Sequence, residues 1–266
     1  MGSVALTTTA GQAPTAEQAG VLAAWRGPLL VLGGAGTGKT TLVGLAAGEL
    51  LAGGRRPLVL APSRSAASTL RNRIAHASGG TSQLSVTTVH ALARSLVDQF
   101  SETADNRLLT APEQEFRVRE LLAGDTGGRW PESLRHALGT RGFARQLRGV
   151  LARARQLGLD PSDLSRLGAE AGSPEWTAAG EFFAEYLDVL DADGALDYAE
   201  LVHRARLLVT DQAVLDSVRR QYDAILVDDL TDLDPAQIGL VRALVPDGGD
   251  VLAAADPQAA VNTFRG

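Results

Sequence analysis

The residues best able to do chemistry lie close together near the N-terminus. Gly33-Gly34-Ala35-Gly36-Thr37-Gly38-Lys39-Thr40 has the spacing G-x-x-x-x-G-K-[ST], set between an apolar run and a helical pattern. That context makes the spacing specific. Glycines let successive backbone N–H groups turn inward and surround phosphate oxygens. A helix starting at the end of the turn adds its positive N-terminal end. Lys39 would reach the β- and γ-phosphates of a nucleoside triphosphate, and Thr40 would offer its hydroxyl to Mg²⁺. Gly33 through Thr41 is thus the stretch expected to border ATP. The alternative, a glycine-rich loop that happens to carry Lys-Thr, does not explain why strand, loop and helix all agree.

A phosphate-bound Mg²⁺ needs an acidic partner at the end of another strand. Ile225-Leu226-Val227-Asp228-Asp229 is an apolar run that ends in two carboxylates. Asp228 is expected to hold the metal with Thr40, and Asp229 to poise the attacking water. Lys39 and Asp229 are therefore the catalytic candidates. An acidic surface turn is the alternative, and Asp232 and Asp234 read as solvated loop residues. Composition points to the same lysine: of 25 basic residues, 24 are arginine and one, Lys39, is lysine. A lone lysine among arginines suits a task that needs a compact point charge rather than a planar fork.

These residues need elements to position them. Apolar runs at Pro28–Leu32, Pro57–Ala61 and Leu84–Thr88 predict strands. Helical patterns at Lys39–Leu51, Arg64–Ala77 and Val89–Phe100 follow them, and Thr15–Arg26 predicts a helix before them. From Ser101 to about Arg220 only helical periodicity is visible, with segments near Pro112–Leu122, Phe143–Leu157, Pro161–Leu167, Glu175–Leu190, Leu196–Val209 and Gln212–Arg220. Strands return at Ala224–Val227 and Val251–Ala255, flanking a helix at Pro235–Leu244. The expected fold is α/β: a parallel sheet with helices on both faces, interrupted by an all-helical insertion. The expected boundaries are 1–100, 101–220 and 221–266.

Composition excludes several classes. The 266 residues are 45% hydrophobic and 21% charged, which rules out a mainly disordered chain. There is no cysteine, hence no disulfide framework or thiol nucleophile. No apolar run approaches the ~20 residues of a membrane helix, and the N-terminus lacks a signal-peptide pattern, so a cytoplasmic protein without membrane contact is expected. The net charge of -6 leaves only local contacts for nucleic acid. One local candidate is the stripe of Arg141, Arg145 and Arg148 on one helix face, which could track a phosphate backbone or simply be solvated. Trp25, Trp130 and Trp176 are expected in cores or interfaces.

In their order, the motifs resemble the UvrD/Rep/RecB-like superfamily 1 DNA helicases. Thr15-Ala16-Glu17-Gln18 resembles that family's Q motif, whose glutamine reads adenine, and Ala61-Pro62-Ser63-Arg64-Ser65-Ala66-Ala67 its motif Ia. Thr88-Val89-His90-Ala91-Leu92 is similar to its T-[FV]-H segment, and Leu196-Asp197-Tyr198-Ala199-Glu200-Leu201 to the D-[FY]-x-[DE]-L that closes its helical insertion. Tyr222 through Asp229 resembles motif II, and Asp256-Pro257 through Phe264-Arg265-Gly266 motif III. The resemblance implies a P-loop NTPase with a RecA-like domain 1A carrying a helical 1B insertion. It implies ATP and Mg²⁺ as ligands and 3′-to-5′ movement on single-stranded DNA or DNA with a single-stranded tail. It also implies adenine recognition by Gln18 and DNA contacts from Ser63, Arg64, His90, Phe264 and Arg265. His90 could equally be a buried hydrogen-bonding residue.

Three departures stand out. Motif II reads Asp228-Asp229-Leu230-Thr231-Asp232 where the family has D-E-x-Q-D. The motif III glutamine that senses the γ-phosphate falls on Ala259. Aromatic stacking positions fall on Pro62 and Asn262, while Phe264 keeps one aromatic. The pattern also resembles the less active motor of the actinobacterial AdnA/AdnB helicase–nuclease. The family's 2A and 2B domains, with their arginine fingers, are expected from sequence beyond Gly266 or from a partner subunit. An ATP-driven DNA motor is the leading expectation; a weakly active nucleotide-binding subunit of a helicase–nuclease assembly is the second. A small-molecule P-loop kinase is a third, opposed by the Q-motif glutamine, the T-[FV]-H segment and the Phe-Arg-Gly ending.

Overall fold

The computed structural model describes residues 14–78, 83–101, 107–125 and 128–258. They form two compact units: the described residues up to Leu92 with those from Leu207 onward, and Ala93–Arg206. In chain order the elements begin with α1 (Ala16–Ala24), β1 (Pro28–Leu32), α2 (Lys39–Ala52), β2 (Pro57–Leu60), α3 (Arg64–Ser78), β3 (Ser85–Thr87) and α4 (Val89–Phe100). There follow β4 (Arg107–Leu108), α5 (Ala111–Gly124), α6 (Glu132–Arg135), α7 (Arg141–Gln156), α8 (Pro161–Glu170), α9 (Pro174–Ala192), β5 (Ala195–Leu196) and α10 (Tyr198–Leu208). The last are α11 (Gln212–Arg219), β6 (Ala224–Val227), α12 (Pro235–Leu244) and β7 (Val251–Ala255).

Local chemistry explains where several helices start. Thr15 with Gln18, Thr110 with Glu113, Asp160 with Asp163 and Asp234 with Gln237 form capping boxes at α1, α5, α8 and α12. Each pairs two backbone N–H groups that the helix itself leaves unbonded. Pro112, Pro161, Pro174 and Pro235 sit in first turns, where a missing N–H costs nothing.

In the first unit five parallel strands run in the order β1-β7-β6-β2-β3. Val59, Val86, Leu226, Leu252 and Ala254 pack on one face with Leu42, Ala46, Leu50, Leu70 and Ile74 of α2 and α3. Leu58, Leu60, Ile225 and Val227 alternate to the other face and are also buried, as a parallel sheet requires. β1 is an edge strand and differs: Leu30 and Leu32 are 53% and 62% exposed. The continuous apolar run there signals a strand but not which of its faces is covered.

The second unit packs around Phe182, Phe183 and Tyr186 of α9, with Trp130, Leu147 and Leu151. At its tightest crossing, a Cβ on Gly180 would stand 2.2 Å from Ser165 Oγ of α8. One expectation is corrected here. Residues 101–220 do contain strands: β4 and β5 pair in parallel, Arg107 with Ala195 and Leu108 with Leu196. Two residues are too few to show period-two alternation. The arginine stripe is solvated at Arg141 and Arg145, whose side chains are 71% and 65% exposed, and it also pairs with residues of α5. Arg141 Nε donates to Glu115 Oε1 at 2.6 Å, Arg145 Nε lies 3.6 Å from Glu115 Oε2, and Arg148 donates to Gln114 Oε1 at 3.4 Å. Trp25 and Trp130 are buried, whereas Trp176 is exposed. Asp197 accepts the Glu200 N–H at 2.8 Å, and buried Glu200 accepts from Arg155 Nε at 2.7 Å, so this segment organises the start of α10. Among the described residues no helix is long and apolar enough to cross a membrane.

Candidate active site

The glycine-rich turn joins β1 to α2 at the carboxyl end of the sheet, the usual place for ligands in such folds. Its conformation requires its glycines. Gly38 is the N-cap of α2 with φ 89°, and a Cβ there would stand 2.7 Å from Gln18 Nε2. At Gly33 a Cβ would stand 2.6 Å from Thr37 Oγ1. Lys39 Nζ donates to the carbonyls of Gly33 and Gly34, each at 2.8 Å, and lies 3.5 Å from Asp256 Oδ2. The ammonium is thus held by the turn that would receive phosphate.

Thr40 and Asp228, 188 residues apart, meet directly: Thr40 Oγ1 lies 3.0 Å from both carboxylate oxygens of Asp228. The sheet brings this about. β6 lies between β7 and β2, and the Asp228 N–H donates to the Leu60 carbonyl at 2.8 Å. Asp228 is buried. Burial, then the neighbouring charge of Asp229, push its carboxyl up to about 6 against the pull of Thr40 and Lys39. A buried acid at odds with its surroundings beside an oxygen donor suits a hard divalent cation, which would relieve both. Thr40 and Asp228 therefore fit Mg²⁺.

Asp229 is the single non-glycine among the described residues with positive φ, at 55°. Asp tolerates this left-handed region better than most residues. The bend leaves Asp229 lining a cleft of about 510 Å³ with Gly36, Lys39, Thr40, Asp232 and Asp256. Burial first, then the charge of Asp232, raise its carboxyl above the ordinary range. Asp232 thus belongs to the wall of this cleft. Asp234 is no solvated loop residue: it is buried and accepts the Gln237 N–H at 2.8 Å as the cap of α12.

Gln18 sits against the turn. Its Oε1 accepts the Thr15 N–H at 3.0 Å and its Nε2 donates to the Gly38 carbonyl at 3.3 Å. Ser63 and Arg64 are exposed where β2 leads into α3, and Ser63 Oγ accepts the Ala66 N–H at 3.1 Å. His90, half-buried in the first turn of α4, faces Gln237. These three residues follow adjacent strands β2 and β3, whereas the turn and the two acids follow β1 and β6. Phe264 and Arg265, with Ala259 and Asn262, lie outside the described residues. Sequence reasoning missed Asp256, which lines the cleft, and, outside the cleft, the buried contact of Gln237 with His90. Asp256 directly follows β7, and Gln237 stands three residues after a helix cap; both positions are visible once the strand order is known.

The family profile described as the UvrD/REP helicase N-terminal domain matches residues 14–266. The chain belongs to this family. DNA helicase II of Salmonella typhimurium is 28% identical to this UvrD/REP N-terminal domain over 263 residues, covering 94% of this chain and 34% of the relative. DNA helicase II of Escherichia coli aligns with the same figures. ATP-dependent DNA helicase UvrD2 of Mycobacterium tuberculosis is 24% identical over 277 residues, covering 94% of this chain and 37% of the relative. The UvrD/REP domain described here thus spans about a third of the length of the curated relatives it matches.

Proposed function

We propose that this chain is the ATP-binding core of a UvrD-type DNA helicase or translocase. In this reading the unit with the five-stranded sheet is domain 1A and the helical unit its 1B insertion. ATP hydrolysis at the cleft drives 3′-to-5′ movement on single-stranded DNA or on DNA with a single-stranded tail, in the cytoplasm. The observation that carries it is the contact of Thr40 with Asp228, which unites the phosphate turn with the acidic strand end.

The residues divide the work. Backbone N–H groups of Gly34 through Thr40 and the start of α2 would receive phosphate oxygens. Lys39 would exchange its two carbonyl partners for the β/γ-phosphates. Thr40 and Asp228 would hold Mg²⁺, which when bound supplies charge neutralisation at the phosphates. Asp229 would accept a hydrogen bond from the attacking water and orient it. Gln18, already bonded to Gly38, would bring the adenine-reading element up to the turn. Among the described residues lining the cleft Lys39 is the single cation. Further positive charge at the transition state would come, as the family resemblance implies, from arginines of a second motor domain or a partner subunit. Ser63, Arg64 and His90, with Phe264 and Arg265, are the proposed DNA contacts.

The test is DNA-stimulated ATPase activity of the full chain with Mg²⁺, and its loss in Lys39→Ala. Nucleotide affinity and turnover unchanged in that variant would overturn the assignment of the turn. The short acid at Asp229 favours a second reading, a weakly hydrolysing subunit of a helicase–nuclease complex. Turnover that stays low at saturating single-stranded DNA, with nucleotide binding intact, would support it.

A further inference from the structure

Gln237 carries a contact that neither the cleft nor the capping of α12 requires. It is buried, and both ends of its amide are engaged. Its Oε1 accepts the Asp234 N–H at 3.2 Å, so its NH₂ end is the one that faces His90. There Nε2 lies 3.4 Å from His90 Nδ1 and 3.3 Å from His90 Nε2. Nearly equal distances to the two ring nitrogens set the amide over the ring rather than along one lone pair, a contact that a neutral ring accepts better than a charged one.

The connection between Asp229 and Gln237 is short and bonded throughout. The Asp232 N–H donates to the Asp229 carbonyl at 3.0 Å, and the Leu233 N–H to the Leu230 carbonyl at 3.1 Å. Asp234 then caps α12 by accepting the Gln237 N–H at 2.8 Å. A displacement of the Asp228–Asp229 loop therefore has little slack in which to dissipate before it reaches Gln237. On the other side, His90 stands in the first turn of α4, whose cap Thr88 directly follows β3. β2 lies between β3 and β6, so this side-chain contact joins two strand ends that are not neighbours in the sheet. The exposed Ser63 and Arg64 follow that intervening strand.

We infer that Gln237 is a positioning residue that ties His90 to the Asp228–Asp229 loop and so couples the nucleotide cleft to the DNA-facing ends of β2 and β3. The inference rests on the motor reading above for the identity of the two sites. It adds the route between them, through chain whose contacts all lie in the first unit. Gln237 touches neither nucleotide nor DNA in this scheme. It sets where the His90 ring stands when the acidic loop moves.

The experiment uses the full chain, Mg²⁺-ATP and an oligothymidylate. It compares wild type, Gln237→Met, His90→Ala and the double variant, each first checked for an unchanged melting profile. Methionine keeps the length of the side chain and removes its donor together with the Oε1 acceptor that caps α12, which is why the melting profile is checked first. Gln237→Met is expected to keep basal turnover and the ATP KM and to lose about three- to tenfold of the DNA-stimulated rate, the weight of one hydrogen bond. The double variant is expected to be no slower than His90→Ala, because the two side chains act as a unit. Stimulation intact in Gln237→Met, or losses that multiply in the double variant, would overturn the inference. Absence of stimulation in wild type supplied with the second motor domain or partner subunit would instead overturn the motor reading. The coupling then stands or falls on a DNA-free measurement, the ¹⁵N-histidine spectrum. The His90 signal should shift on adding Mg²⁺ and a non-hydrolysable ATP analogue to wild type, and stay fixed in Gln237→Met. A signal that moves equally in both, or in neither, refutes the route.

Discussion

Replacing Asp229 with Glu tests the acidic cleft most sharply, because two consequences of opposite sign follow from one methylene. The carboxylate of Asp229 is tied to a backbone bend at φ 55°, and it faces a cleft of about 510 Å³ shared with Lys39 and Thr40. Glutamate would carry its carboxylate about one bond length, roughly 1.5 Å, further into that space. Basicity hardly changes, since the two acids have nearly equal ordinary pKa values. A misplacement of about 1 Å can cost on the order of 10²-fold in rate, so Asp229→Glu is expected to raise ATP turnover several-fold or more. Stability should move the other way. A short acid is favoured at positive φ because its side chain can bond locally, and losing that costs at most about 1–2 kcal/mol. For a chain of this size the melting temperature should fall by at most about 2–8 °C. The assay is steady-state ATPase of the full chain with saturating single-stranded DNA, paired with thermal melts. Asp229→Asn is the control: it keeps the bend and removes the base, and its turnover should drop by at least ~10²-fold. An unchanged or lower rate for Asp229→Glu would mean that reach is not what limits this site.

Three further outcomes are expected. Gly180→Ala places a Cβ 2.2 Å from Ser165 Oγ and 2.5 Å from the Ser165 backbone nitrogen, so α8 and α9 must separate. Overpacking of this kind costs about 1–3 kcal/mol, and thermal melts should show a loss of several degrees; an unchanged melting temperature would contradict the tight crossing. His203 is held at about 4, below its ordinary 6.5, by burial and then by the charge of Arg155. The unfolded chain therefore takes up a proton between pH 6.5 and 4 that the folded chain refuses. Stability is full above pH 6.5 and declines as pH falls towards 4, by about 2 kcal/mol after allowing for water near the ring. Denaturant titrations across that range should show a shallower decline in His203→Gln, and parallel curves would refute the burial of a neutral ring. Finally, Arg141→Gln with Arg145→Gln should leave the salt dependence of DNA binding unchanged, since both arginines lie against Glu115; a slope shallower by about two would show phosphate tracking instead.

Much of this arrangement is legible in the sequence, and the reasons differ by element. β6, β7, α4 and α12 have the bounds expected from apolar runs and caps, because their signals are local: Asp234 with Gln237 starts α12 and Pro246 follows its end. The phosphate turn was legible because glycine spacing records backbone conformation, and Gly38 at φ 89° is that record in structural form. What sequence could not express is which side chains share a space. Asp234 and Asp232 look alike in an acidic run, yet one is a buried cap and the other lines the cleft. The arginine stripe showed a helix face and its charge, not that Glu115 and Gln114 of α5 would be waiting opposite it. β4 and β5 escaped because a two-residue ladder has no period. Asp256 and Gln237 escaped for a deeper reason. Their significance lies in strand order, which puts β7 between β1 and β6 and lets α12 reach across the end of β2 to His90. Spacing along a chain reveals groups that act through their neighbours in sequence. Groups that act across a sheet become visible only when the sheet is assembled, and it is among these that any coupling between the proposed nucleotide cleft and the strand ends proposed to meet DNA is to be sought.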